Sequence, residues 1–249
     1  MNLGRPLAIL ALSIATSAFG QATMSVENNK PDKPIVGQPF TADQTIRTVQ
    51  HLTNGVTLTK QMTGRVYRSS AGLERAEATP DSTGPEALKP LTLAWIVDRT
   101  QHMLILVHVQ SRFATTTRLP PDSTVHVSFL AQPGDLKPEQ FKPGKPETAE
   151  LGQRTQDGLE LVGKRVTRTV PYDKVGNDAP FVSTKELWSS SQLNLVVEEV
   201  EHDPVDGERT VELTNIRREE PDAELFKIPT GFQIMDQPLV PPKRPAATP

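Results

Sequence analysis

Among the 249 residues there is no cysteine. That excludes disulfide staples, thiolate zinc centres and a cysteine nucleophile. It also excludes the lipid-modified cysteine that tethers a bacterial lipoprotein. Aromatic residues are scarce, at 5% with two Trp and two Tyr. Neither sign of charge dominates: 27 Lys and Arg face 30 Asp and Glu, a net charge of −3. Such an evenly mixed surface lacks the concentrated basic face that nucleic acid requires. It equally lacks the cationic cluster that draws a protein electrostatically to anionic lipid.

Catalytic signatures are missing too. No G-x-S-x-G elbow surrounds Ser189-Ser190-Ser191, and no Ser-x-x-Lys stands in supporting context. The five histidines (His51, His102, His108, His126 and His202) form no H-E-x-x-H pair. His102 and His108 stand on one face of a continuous strand but about 20 Å apart at ~3.3 Å per residue, too far to share a metal. Asp203 to Glu208 lacks the order of a calcium loop, and the glycines form no phosphate cradle. Glu198 points away from Glu199 and Glu201 on a strand, a solvated acidic face rather than the two sides of a glycosidase cleft. No catalytic residue, metal ligand or cofactor is assigned.

Long apolar runs are also absent, with one exception. Arg5 is followed by the uncharged stretch PLAILALSIATSAF over residues 6–19, then by the small residues Gly20 and Ala22. Charge, apolar core and small-residue exit describe a secretory signal peptide over 1–22. The stretch falls short of the roughly 20 apolar residues that span a bilayer. Cleavage after Ala22 removes Arg5 and takes the net charge from −3 to −4. The expected product is soluble and exported, periplasmic or extracellular.

Beyond the leader, residues 23–40 read as a flexible lead-in rich in proline and polar residues. A β-meander follows: a strand from Thr41 to Leu52, the hairpin turn Asn54-Gly55, a strand from Val56 to Tyr67, a turn at Ser70–Gly72 and a third strand to Ala78. Residues 79–90 are a polar loop. Leu91–Val97 and Met103–Val109 are apolar strands, the second dense enough for a central position. Arg112–Leu119 adds another. Prolines 120, 121, 133, 138, 143 and 146 mark an excursion at about 120–156, with a short strand near Val125–Leu130. Alternating strands resume at Leu159–Pro171, Phe181–Ser189, Leu193–His202 and Arg209–Arg217. Asp203–Gly207 forms a hairpin loop, and Asp222–Phe226 one helical turn capped by Asp222. The stretch 236–249 is a proline-rich, disordered tail. The expected fold is all-β, with a β-rich α+β arrangement as the variant, in one antiparallel domain over 41–235.

The run Gly163–Pro171, the strand Glu186-Leu187-Trp188-Ser189, the hairpin at Asp203–Gly207 and the close Leu225-Phe226 through Ile228-Pro229-Thr230-Gly231-Phe232 carry a resemblance. Together they resemble a family of exported proteins of acidobacteria and other soil bacteria. More distantly they are similar to the LolA-like lipoprotein-carrier superfamily. Tyr67-Arg68 and Gly72–Arg75 resemble its first strands. The resemblance implies a strongly curved open antiparallel sheet, a half-barrel, with helices across its concave side; no amphipathic covering helix is visible between 79 and 156. It implies a non-enzymatic protein binding an apolar small molecule, a lipid, or a lipidated or envelope protein partner. Trp188, Phe181, Phe226 and Phe232 are the candidate ligand-lining residues, although core packing alone accounts for Trp95 and Trp188. The alternative is a structural or envelope-interaction module using a sheet edge and the proline-rich tail; a hydrolase stands third.

Overall fold

The computed structural model describes residues 33–80, 92–121, 144–174 and 176–237, and the backbone of 9–10, 24–28 and 123–127. The leader, apart from Ile9–Leu10, and the tail beyond Gln237 lie outside the described residues. Among the described residues there is no α-helix, only strands and one 3-10 turn. β1 (Ile9–Leu10), β2 (Met24–Asn28) and β9 (Ser123–Val127) form a small antiparallel sheet.

The other described strands belong to one sheet of twelve. Its first half is a meander of β3 (Phe40–His51), β4 (Thr57–Arg68), β5 (Glu74–Pro80), β6 (Leu93–Asp98), β7 (Met103–His108) and β8 (Phe113–Arg118). Its second is a meander of β10 (Pro146–Gln156), β11 (Leu159–Val170), β12 (Phe181–Ser190), β13 (Leu195–Asp203) and β14 (Gly207–Arg217). The halves join where β14 pairs antiparallel with β3, Glu208 opposite Val49. A last short strand, β15 (Gln233–Asp236), adds to β8 in parallel. The edges β10 and β15 do not pair with each other, so the sheet stays open.

Local chemistry explains the pieces. Asn54 Oδ1 accepts from the Val56 amide at 3.1 Å, but of the pair only Gly55 takes positive φ (+81°), and the Leu52–Val56 hydrogen bond makes this a three-residue loop, Thr53–Gly55, in place of the two-residue turn expected from sequence. Asp157 and Gly158 both take positive φ (49° and 73°), the geometry of a two-residue primed turn between β10 and β11. Asp222 caps the 3-10 turn Ala223–Phe226 by accepting from the Glu224 amide at 2.9 Å, as expected from sequence. Residues 146–156, read from sequence as excursion, instead form the edge strand β10. Its side chains are mostly exposed, so the strand needs no apolar face of its own, and Glu150, Gly152 and a bulge blunt the edge.

Alternation gives the large sheet two apolar faces. Phe40, Ala42, Ile46, Val66, Trp95 and Leu104 from the first half meet Leu159, Leu161, Leu195, Val197 and Leu213 from the second in one buried cluster. Residues of opposite parity (Tyr67, Ala94, Ile96, Val107 and Ala114) form a second cluster on the reverse of the first half. The face shared by both halves is the inner, concave one. The segment 218–232 runs across the outer face between β14 and β15. Phe226 is buried there, Arg75 Nη1 donates to the Leu225 carbonyl at 2.8 Å, and Glu220 accepts from the Ser70 amide at 2.9 Å.

Candidate functional site

The inner face carries the larger buried cluster along the strands, and its two ends differ. At the end holding the β4–β5, β6–β7, β10–β11 and β12–β13 turns, polar side chains clasp the halves together. Arg68, at the end of β4 and fully buried, donates from Nη1 to the Leu193 carbonyl at 2.6 Å. Its guanidinium stacks 5.0 Å from the Phe40 ring centroid. Glu74 accepts from Arg68 Nε at 3.0 Å and pairs with Arg99 through its other oxygen. Two guanidiniums thus share one carboxylate, all three nearly inaccessible to solvent. Burial pushes the Arg68 pKa down and Glu74 opposes that shift. Among the described residues, Arg68 Nη2 and the buried Ser190 Oγ have no hydrogen-bond partner.

The edge strand β10 curls over the same face. Asp157 Oδ2 accepts from the Ile216 amide at 3.0 Å, and Gln156 Nε2 donates to the Leu213 carbonyl at 2.8 Å. Both reach past β11, β12 and β13 to β14. Arg154 lies 4.3 Å from the Trp188 ring centroid and pairs with Glu198 of β13. A bulge beside Trp188 rephases β13 and turns Glu198 inward. Trp188 itself rests on Gly163, where a Cβ would sit 2.8 Å from the ring.

The four residues singled out from sequence do not come together. Trp188 packs, half-buried, against the inner cluster. Phe226 and Phe232 pack against the outer one, because the segment carrying them crosses the reverse face. Phe181 opens β12, outside both clusters. The clasping residues escaped the sequence reading: Tyr67-Arg68 was visible as a dipeptide, but Arg68's acceptor is a backbone carbonyl 125 positions away.

The acids of β13 behave differently from expectation. Glu199 and Glu201 do share a face, but Glu199 is buried and bound by Arg209 (2.9 Å) and Lys185 (3.6 Å). Cross-strand cations, not water, satisfy it. His102 adopts φ +51° in the turn before β7, which takes it out of the alternation that would align it with His108. Among the described residues no group of His, Asp and Glu is arranged to hold a metal.

An open groove of about 490 Å³ lies on the outer face of β3, β4 and β5, lined by Asp43, Thr45, Arg65, Tyr67, Glu77 and Thr79 among others. Arg65 pairs with Asp43 at 3.1 Å, and Asn215 donates to Asp43 at 2.8 Å. Burial, with Glu77 nearby, pushes the Tyr67 phenol up, so it is a poor acid and stays neutral. The charged groups here neutralise one another instead of poising an acid and a base.

No protein family and no curated protein matches this chain in sequence. Solved structures similar to it include MucB, at 10% identity over 79% of this chain and 59% of that one, with a TM-score of 0.38. The chain thus spans about three-fifths of MucB's length. LprF from Mycobacterium bovis is similar at 12% identity over 79% and 90%, TM-score 0.32. A LolA superfamily protein from Nitrosomonas europaea is similar at 11% identity over 78% and 92%, TM-score 0.26. The architecture itself is all-β, dominated by one open and curved sheet that is antiparallel except at β15.

Proposed function

We propose that this chain is an exported, non-enzymatic binding protein that takes an apolar molecule, such as a lipid or the acyl chain of a lipidated partner, into the trough of its curved sheet. One observation carries the reading. The inner face carries a continuous apolar cluster, buried between the two halves, yet the curl is held by side-chain clasps at one end and not by strand pairing between the edges. A sheet closed by hydrogen-bonded strands is a fixed barrel. A sheet closed by clasps can part without breaking its ladder. The lining nearest the curled edge is Trp188, Leu161 and Val197. The leader expected over residues 1–22 supports export and the even charge supports an uncharged cargo.

The test is native mass spectrometry of protein purified from its own host, paired with uptake of the fluorescent probe N-phenyl-1-naphthylamine. A lipid-sized adduct, and probe fluorescence displaced by phospholipid, are the expected results. A bare mass together with no probe uptake would sink the reading. A second reading, docking through the sheet edge, is favoured by β15, whose Ile234 and Met235 are exposed on an edge strand of four residues. A stoichiometric protein partner in the same spectrum would select it.

A further inference from the structure

Of the eleven large hydrophobic residues exposed among the described residues, eight lie at one end of the sheet, opposite the clasps, Ile234 of β15 among them. Scattered exposed hydrophobics are ordinary and need no explanation. Their confinement to one end does. Leu52, Val56 and Leu58 crown the β3–β4 hairpin, and Val205, 65% exposed, stands at the tip of β13–β14. Tyr172, 63% exposed, and Val182 flank the β11–β12 turn. Val109 follows β7 further along the same end. Because β11, β12, β13, β14, β3 and β4 are neighbours in that order, the first three tips stand in a row.

Each of these three tips is built stiffly. Leu52 and Val56 are joined by the Leu52 amide donating to the Val56 carbonyl at 2.8 Å, with Asn54 bridging back to the Val56 amide. Asp203 Oδ1 accepts from the Val205 amide at 2.8 Å. The Asn177 amide donates to the Pro171 and Ala179 carbonyls, both at 2.8 Å, and fixes the turn that carries Tyr172. The order that these bonds impose holds apolar side chains outward, into water.

Charge identifies the occupant. Residues 52–56 contain no charged group, and the β11–β12 turn sets Asp173 and Asp178 against Lys174. The tip beside Val205 adds Asp206. There is no cationic concentration to seek anionic headgroups. Separate prominences also suit a deformable phase better than the flat, matched surface of a protein partner. Tyrosine at such an end matches the interfacial preference of aromatic rings with a polar tip. We propose that this fringe is a membrane-docking surface that seats its hairpin tips in the interface of a zwitterionic lipid bilayer. The proposal is independent of what the trough holds.

The experiment is cosedimentation with sucrose-loaded phosphatidylcholine vesicles at low and high salt, with wild type and variants carried through the same purification. Wild type sediments with the vesicles to the same extent at both salt concentrations. Leu52→Asp with Val56→Asp lowers the partition coefficient at least about tenfold, and Val205→Asp lowers it by about three- to tenfold. Val36→Asp, beside the β4–β5 turn at the opposite end of the sheet, leaves it unchanged. Circular dichroism checks that each variant keeps its β spectrum; Val56→Ser replaces any that does not. The proposal fails if wild type stays in the supernatant at all lipid concentrations, if salt abolishes the binding, or if Val36→Asp weakens it equally. It also fails if sedimentation velocity shows wild-type oligomers that Leu52→Asp with Val56→Asp converts to monomers, since the tips then dock on one another.

Discussion

At the scale of single residues, the buried Arg68–Glu74–Arg99 triad carries the most concentrated electrostatic stake in the molecule. Its two cations are tolerated because Glu74 meets both and the Leu193 carbonyl accepts a further hydrogen bond from Arg68. Glu74→Gln removes the only anion of the triad and leaves two buried guanidiniums facing each other. The expected loss is about 3–5 kcal/mol, read as a shift in the urea midpoint. His108 gives a pH dependence. Burial lowers its pKa below the ordinary imidazole value, so between the folded value and about 6.5 the unfolded chain binds more protons than the folded one. Stability is therefore complete above that window and falls as pH drops into it. Melting temperatures measured from pH 7.5 downward should decline below about 6.5, and His108→Phe should flatten that part of the curve.

At the scale of elements, strand β11 and the curled edge β10 depend on the absence of a side chain at Gly163. Gly163→Val drives a Cβ into the Trp188 ring and Leu151, so the ring leaves its seat beneath Arg154. We expect a loss of about 1–3 kcal/mol and a red-shifted tryptophan emission. At the opposite edge, truncation after Gly231 removes β15 and uncovers the hydrogen-bonding edge of β8. Concentration-dependent association in sedimentation velocity is the expected outcome. The elements differ in how far the sequence reveals them. Asn54-Gly55, the alternating run 159–170 and the Asp222 cap are local signals, and each element formed where its residues pointed. β10 was hidden because an edge strand can be built from charges, threonine and glycine. Asp157-Gly158, a turn signal in plain view, marks its end. The clasps were illegible because a side chain's carbonyl acceptor on another strand leaves no trace in composition or spacing. The four aromatic residues grouped by hydrophobicity fell on two faces because only the path of 218–232 decides which side Phe226 and Phe232 reach.

At the scale of the whole molecule, the inner cluster spans both halves, so neither half keeps its core without the other. The two tryptophans report on this directly, Trp95 from β6 and Trp188 from β12. In Trp95→Phe and Trp188→Phe, the remaining tryptophan should give one denaturation transition that coincides with that of circular dichroism in the same variant. Separate midpoints within either variant would show the halves melting independently.

The seam between β14 and β3 also sets a timetable. It pairs the chain near residue 49 with the chain near residue 208, so the founding hairpin waits for its second neighbour until most of the polypeptide is available. Such distant pairing is slow to form. A chain emerging from its first residue onward therefore cannot complete its sheet halfway through. It stays unclosed for most of its emergence and acquires its shape only near the end.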